Sequence, residues 1–515
     1  MSESRDAVLQ ARFFHKGETH ETDVWERVAR TWGTDHRHVG ALYEALRNGR
    51  FMLNSPALAN AGRSNQMGSA CFVLPINDSL TDGEASIMQT LKDAASVHKA
   101  GGGTGFSFGR LRGRGSPVAS TGRPAPGAVN VLKLYSHAVA LITQAGMRDG
   151  ANMGILPIDH PDVEEFLLAK QTEGDIKNFN LSIAMTDEFM MKVGENLLDH
   201  HEQYIWDLIV DGAWRNGEPG LFFIDTTNEH ALHPQPIEAT NPCGEVPLRP
   251  YEACVLGSIN VASYWMPNVR LFNWSAYERD IDVLVETLDN VVERQTYPIP
   301  KIEQEQKRYR KIGVGIMGFA DLCCAMNVKY GEWDCCELAE DLMQVLQQTT
   351  YYTSERLAAE RGTYAGWEPG MPERRNLNCQ VIAPTGTISR LAECSFGIEP
   401  HFDVDHEGYY KSFIIGGVFT DHNKYWDSPA FTPASKVTLD QHIAVQAAFQ
   451  KYCDQAVSKT MNVPHETTHD EIEAGYLDAW LAGCKGITVL REGSRDDVVI
   501  GVAKDGDCVG GICPV

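Results

Sequence analysis

The chain has 515 residues, 43% of them hydrophobic and 22% charged, which is ordinary for a globular protein long enough to bury a large core. Its formal charge of −24 argues against a broad surface for nucleic-acid polymers or anionic membranes, but leaves room for a local phosphate pocket. No run of about 18 apolar residues is present to span a membrane, and MSESRDAVLQARFF lacks the pattern of a signal peptide; 13 cysteines without such a leader point to a reducing, cytoplasmic setting.

In chain order, residues 1–50 predict a short polar helical segment with amphipathic pieces from Asp23 to Arg30 and from Val39 to Leu46. From Phe51 the texture changes to short apolar runs broken by glycines and turns: SACFVLP (69–75), GGGTGFSFGRLRG (101–113) and ANMGILPIDHPDVEEF (151–166). Helical periodicity alternates with them over Ala128 to Ile142, Asp280 to Arg294 and Cys335 to Arg361. Sustained strand–helix alternation indicates an α/β class. Without an internal repeat or low-complexity linker, residues 51–495 are expected to form one catalytic domain. After Arg495 the chain turns polar and glycine-rich, and 496–515 read as a mobile tail.

The densest chemical signal is Asn241-Pro242-Cys243-Gly244-Glu245. Pro242 and Gly244 disfavour regular structure, so Cys243 belongs on a loop tip, where Asn241 and Glu245 at minus and plus two can aim at the same point. A carboxylate beside a thiol raises its pKa, which is poor for a thiolate nucleophile but suits a neutral cysteine that gives up a hydrogen atom. A plain turn around a buried cysteine satisfies the same spacing. Pro384-Thr385-Gly386-Thr387-Ile388-Ser389 follows an apolar run and precedes a helix-like stretch, which places backbone N–H groups at a helix start as in a phosphate cradle; an ordinary capping turn fits equally. GGGTGFSFG has neither the Gly-Lys-Ser/Thr ending of a P-loop nor G-x-G-x-x-G spacing.

Three further patterns invite metal or redox readings. His465-Glu466-Thr467-Thr468-His469 fits the zinc-protease string, but Pro464 precedes it and Thr468 with Glu471 forms a capping box, so its histidines straddle a helix start. The vicinal pairs Cys323-Cys324 and Cys335-Cys336 lack chelating spacing and read as core packing. Cys508 and Cys513, flanked by polar residues and glycines, suit thiol–disulfide exchange on a tether.

Several of these motifs, in this order, resemble the catalytic chain of ribonucleotide reductases: NSPALANAG (54–62), SACFVLP, GGGTGFSFGRLRGRGSPV (101–118), RDGANMGIL (148–156), NPCGE, APTGTISRLAECSFGIEP (383–400) and GCKGITVLREGSR (483–495). The resemblance runs from about Asn54 to Arg495. It implies a ten-stranded α/β barrel with Cys243 as the radical cysteine on a central finger loop, where its thiyl abstracts the ribose 3′ hydrogen. Glu245 would accept the 3′-hydroxyl proton and Asn241 would hydrogen-bond the same region. Cys71 and Cys254 match the pair that supplies two electrons and ends as a disulfide. The Pro384, Thr385, Gly386, Thr387 and Ile388 turn would hold the substrate phosphates, with Ser55, Ala70 and Gly103 as further contacts. Asp78, Arg112, Gln144 and Arg148 match the dNTP/ATP specificity-effector region, whose loops are Ser116 to Gly127 and Gln144 to Gly150. Cys508 and Cys513 match a tail pair re-reduced by thioredoxin or glutaredoxin, and a homodimer is expected.

The radical source also follows from the resemblance. No glycyl-radical motif is present, and Thr488-Val489-Leu490-Arg491 lacks the tyrosine pair that relays a radical from a di-iron partner subunit. GCKGITVLREGSR looks like the adenosylcobalamin-dependent type, although an aromatic residue is common there where Leu490 stands. Asp-x-His-x-x-Gly is absent, as it is in reductases of this type. The stretch before Asn54 is too short for an ATP-cone domain, so specificity control alone is expected. Alternatives are a catalytic subunit needing a di-iron partner and an inactive nucleotide-binding regulator. The motifs fit diphosphate and triphosphate substrates alike.

Overall fold

The computed structural model describes residues 3–142, 151–171, 176–233, 235–414, 417–494 and 500–501. The chain begins with helix Glu3–Val8 and one π-helical turn, Leu9–Phe13, closed by Phe14 N donating to Leu9 O at 3.2 Å. Helix Glu21–Trp32 starts at a capping box between His20 and Asp23, and Val24, Trp25, Val28 and Trp32 bury its apolar face completely. Helix His36–Arg47 starts where the Asp35 carboxylate accepts from His38 N. Both pack on the long helix Trp274–Arg294, with Asn290 Nδ2 donating to Trp32 O and the His38 ring bonded to Thr287 Oγ1.

Ten extended segments then form a closed ring of hydrogen bonds. Strands β1 (Cys71–Val73), β2 (Gly103–Ser107), β3 (Asn152–Pro157), β4 (Phe179–Met185) and β5 (Gly220–Phe223) lie side by side in parallel. A second parallel series runs through β6 (Leu256–Asn260), β7 (Gly313–Met317), the segment 379–382, β8 (Thr460–Val463) and β9 (Gly486–Arg491). The segment 379–382 joins that series through the parallel bridges Val314–Gln380 and Ile382–Val457. Two antiparallel seams connect the halves. At one, β9 pairs with β5 through Gly486–Phe222 and Ile487–Leu221. At the other, residues leading into β6 pair with β1 through Phe72–Ala253, Cys254 N donating to Cys71 O and Tyr251 N to Val73 O. The ten-stranded α/β barrel that the resemblance implies is the architecture found.

Side-chain alternation sorts the core into layers. In β4, Phe179, Leu181, Ile183 and Met185 face the surrounding helices, whereas Ala184 joins an inner cluster with Cys71, Met153, Ile155, Phe222, Cys254 and Leu256 from around the ring. The same inner cluster holds Ile237, Ala239, Val246 and Leu248. These belong to a hairpin, Ala239–Thr240 against Pro247–Leu248, that runs up the middle of the barrel. The helices predicted from periodicity are present as Ala128–Ala140, Trp274–Arg294 and Trp333–Arg361. Among the described residues no helix is long and apolar enough to cross a membrane.

Gly105 on β2 marks where the hairpin presses hardest on the wall: a Cβ there would lie 1.8 Å from the Thr240 carbonyl oxygen. Gly40, inside helix His36–Arg47, has nothing within 4 Å of an added Cβ. Thermal unfolding of the two alanine variants should therefore move in opposite directions. Gly105→Ala is expected to lose about 1–3 kcal/mol through overpacking against backbone that cannot rotate away. Gly40→Ala should gain up to about 1 kcal/mol of helix propensity. Equal melting temperatures for both would contradict the hairpin's placement.

Candidate active site

The hairpin tip is a tight loop built around Asn241. Its N–H donates to Val246 O, its carbonyl accepts from Gly244 N at 3.0 Å, and its Oδ1 accepts from Val246 N at 2.9 Å. The last bond fixes the amide orientation, because an N–H needs an oxygen opposite it. Asn241 Nδ2 is then buried with no hydrogen-bond partner among the described residues. Gly244 takes φ +83°, a conformation that glycine reaches without strain. Two bonds brace the tip: Asn180 Nδ2 of β4 donates to Pro242 O at 2.8 Å, and Ala456 N donates to Glu245 O at 2.9 Å. Each half of the barrel thus holds one side of the loop.

Cys243 is half-buried at this tip and Glu245 is buried beside it, and both line one cavity. Around the same cavity stand Ser55, Ala70, Cys71 and the whole turn Pro384, Thr385, Gly386, Thr387 and Ile388. Ser55 opens the short helix Ser55–Ala59, which Asn54 caps. Gly103 and Asn241, two of the expected substrate contacts, do not line it. Gly103 lies under the finger, where an added Cβ would sit 3.1 Å from Pro242 Cγ and 3.5 Å from Cys71 Sγ, and Gly101 takes the place at the cavity wall.

Cys71 and Cys254, 183 residues apart, are cross-strand neighbours at the antiparallel seam, with Cys71 N donating to Cys254 Sγ at 3.1 Å. Residues opposed in this way have Cα atoms about 4.5–5.5 Å apart, inside the span a disulfide requires. Burial pushes the Cys254 thiol well above the ordinary range, helped by its contact with Cys71 and by the nearby Glu245 charge. The thiol is therefore held neutral, which suits hydrogen-atom chemistry and disfavours thiolate attack.

The turn at 384–388 is shaped by Thr385, which holds φ +59°. Its hydroxyl accepts from Gly397 N at 2.7 Å and lies 2.6 Å from Ser389 Oγ, and its carbonyl accepts from Ser389 N. A non-glycine residue in this region costs about 1–3 kcal/mol and concentrates at functional sites. Arg12, from the π-helical turn, reaches across so that its guanidinium donates to Thr387 Oγ1 at 3.2 Å, and Arg12 and Phe13 complete the cavity wall. No sequence pattern signals this contact. The string ARFF carries no motif, and the turn that delivers Arg12 depends on packing rather than local propensity.

Away from the cavity, Asp78 and Arg112 are brought together as an ion pair of 2.6 Å, and Arg112 also donates to Pro117 O in the loop that includes Ser116 to Gly127. Gln144, Arg148, Cys508 and Cys513 lie outside the described residues. In β9, Ile487 and Val489 join the outer core, so Thr488 and Leu490 fall on the lumen side, where no phenol is offered. Thr468 caps helix His469–Leu481 through a capping box; His465 bonds Glu492 O and the His469 ring stacks on Trp214. Cys323 and Cys335 are buried core residues with sulfurs 3.9 Å apart.

Comparison with known proteins accounts for this assembly. Residues 7–66 match the model described as ribonucleotide reductase, all-alpha domain, and residues 69–198, 199–374 and 420–490 match ribonucleotide reductase, barrel domain. A vitamin B12-dependent ribonucleoside-diphosphate reductase of Mycobacterium tuberculosis is 38% identical over 92% of this chain and 73% of its own length. Its counterpart in Thermoplasma acidophilum is 36% identical over 90% of this chain, which spans 66% of that relative's length. The class Id ribonucleotide reductase alpha subunit of Actinobacillus ureae shares the fold, with a TM-score of 0.81 over 95% of this chain and 97% of that one at 23% identity. With the barrel and all-alpha models together matched along most of its length, this chain belongs to the ribonucleotide reductase family.

Proposed function

We propose that this chain reduces ribonucleoside diphosphates to 2′-deoxyribonucleotides, with adenosylcobalamin as radical initiator. The observation that carries the reading is that Cys243, Glu245, Cys71 and the turn 384–388 line a single cavity, with Cys254 against Cys71. The residues at the finger tip fit that cofactor. The sulfur of half-buried Cys243 is reachable from the cavity, and the lumen face of β9 offers Thr488 and Leu490 rather than a relay of tyrosines. Adenosylcobalamin, when bound, supplies the acceptor for the Cys243 hydrogen atom.

The chain's own residues account for the rest. The Cys243 thiyl takes the 3′ hydrogen of the ribose while Glu245 accepts the 3′-hydroxyl proton, and Asn241 Nδ2 donates to the same edge of the sugar. The 2′-hydroxyl leaves as water, Cys71 and Cys254 surrender two hydrogens and form their disulfide, and Cys243 returns the hydrogen to C3′, which regenerates its thiyl. Atoms balance as one ribonucleotide and one dithiol giving one deoxyribonucleotide, one disulfide and water. A closed barrel suits this chemistry because it keeps water and stray reductants away from the radical. Asp78, Arg112, Gln144 and Arg148 form the specificity-effector region at a two-fold interface between copies. Cys508 and Cys513 carry electrons inward from thioredoxin or glutaredoxin in a reducing cytoplasm.

Anaerobic turnover of CDP and CTP with adenosylcobalamin and dithiothreitol, without a second subunit, tests the reading; deoxycytidine products are expected, with CDP preferred. Under the same conditions Cys243→Ser should bind nucleotide but give no product, because its O–H bond is too strong for the exchange, and measurable product would remove Cys243 from its role. Cys71→Ser or Cys254→Ser should begin the reaction and stall, releasing free base; normal turnover of both with thioredoxin would rule this pairing out. Truncation after Gly501 should leave the dithiothreitol-supported rate intact and abolish the thioredoxin-supported one, since thioredoxin is too bulky to reach an interior disulfide. Loss with both reductants would make the tail structural instead.

A further inference from the structure

The cavity wall has one feature that neither the motifs nor the reaction above uses. Among its described lining residues, Arg12 is the only lysine or arginine, and it comes from the N-terminal helical segment rather than from the barrel. Its guanidinium is bonded to Thr387 Oγ1 at 3.2 Å, directly on the turn assigned to the substrate phosphates. That position is anchored from several sides. Phe13 is completely buried, and Arg27 holds the Phe13 carbonyl at 2.9 Å while also donating to Leu58 O and Ala61 O and pairing with Glu18. On the preceding turn, Arg5 Nε donates to Leu391 O at 3.0 Å and Ser4 Oγ donates to Asp421 Oδ1 at 2.6 Å. A surface arginine with no task needs no such scaffold, and its planar fork matches a phosphate group bidentately.

We propose that Arg12 binds the β-phosphate of the substrate, making the N-terminal segment part of the substrate site and Arg12 the residue that favours a nucleoside diphosphate over a monophosphate. This deepens the reading above and rests on it. Thr387 Oγ1 holds the guanidinium beside the turn, and Arg12 lines the cavity that an incoming anion would enter. An arginine there adds affinity in proportion to the charge beyond the α-phosphate, so its effect must depend on the length of the phosphate chain.

The full-length protein with Arg12→Gln and Arg12→Lys separates this from a structural role. CDP and CMP binding are measured by equilibrium dialysis, and KM for CDP is measured in the adenosylcobalamin and dithiothreitol assay. Arg12→Gln is expected to weaken CDP binding by about ten-fold or more and raise its KM in parallel, while CMP affinity moves less than about two-fold. Arg12→Lys should recover part of the CDP affinity, because it keeps the charge without the fork. Equal weakening of CDP and CMP in Arg12→Gln, or unchanged CDP affinity, would overturn the assignment. Thr387→Val, which leaves the N-terminal segment untouched, should weaken CDP more than CMP by a smaller factor; a uniform effect on both would also count against it. Failure of the unaltered protein to turn over any ribonucleotide would sink the reductase reading alone, since the CDP-to-CMP binding ratio scores Arg12 without turnover.

Discussion

A ring of ten strands encloses more space than its own inward side chains can fill, since about eight strands already give an interior that side chains just occupy. This protein meets the constraint with the hairpin Ala239–Leu248, whose Ala239, Val246 and Leu248 complete the inner core together with Ile237 just before it. The plug and the chemistry are thus one element. Packing that keeps the barrel from being hollow also carries Cys243 to the cavity and sets its height through contact with Gly105 and bonds from Asn180 and Ala456. A loop on the rim would have no such support, and its cysteine would wander by more than hydrogen-atom exchange tolerates.

Electrostatics in the interior follow from the same arrangement. Burial of Cys254, helped by its contact with Cys71 and by the nearby Glu245 charge, raises its thiol pKa and keeps that sulfur protonated. Positive charge on the described cavity wall comes from Arg12, beside the turn of Thr385 and Thr387. Under the proposed reading, the substrate's phosphates would lie at this turn and its sugar beside the finger tip.

Much of this was legible in the sequence wherever the signal was local. Pro242 and Gly244 announced a loop tip, Thr468 and Glu471 announced a helix start that removed the zinc reading, and the apolar run before Pro384 announced a turn into a helix. The motif resemblance supplied the barrel and the pairing of Cys71 with Cys254, which no local rule could reach across 183 residues. What stayed hidden depended on packing between distant segments. Gly103 matched a substrate position by alignment of motifs, yet its lack of a side chain makes room for Pro242, and Gly101 faces the cavity. Arg12 was hidden for the same reason: a π-helical turn has no sequence signature, and the ties from Arg5, Arg27 and Ser4 are visible only once the barrel is assembled.

The seam that brings Cys71 against Cys254 joins the first strand of one half-barrel to the segment leading into the first strand of the other. A bond between those sulfurs would be a clasp across the ring as well as a store of electrons. It would close a loop of some 180 residues, the kind of long cross-link that most restricts an unfolded chain. In each proposed catalytic cycle the two halves would be fastened covalently when the product forms and unfastened when reductant arrives. The resting protein would then be the more easily opened of the two states, and the spent protein would be locked until its electrons are restored.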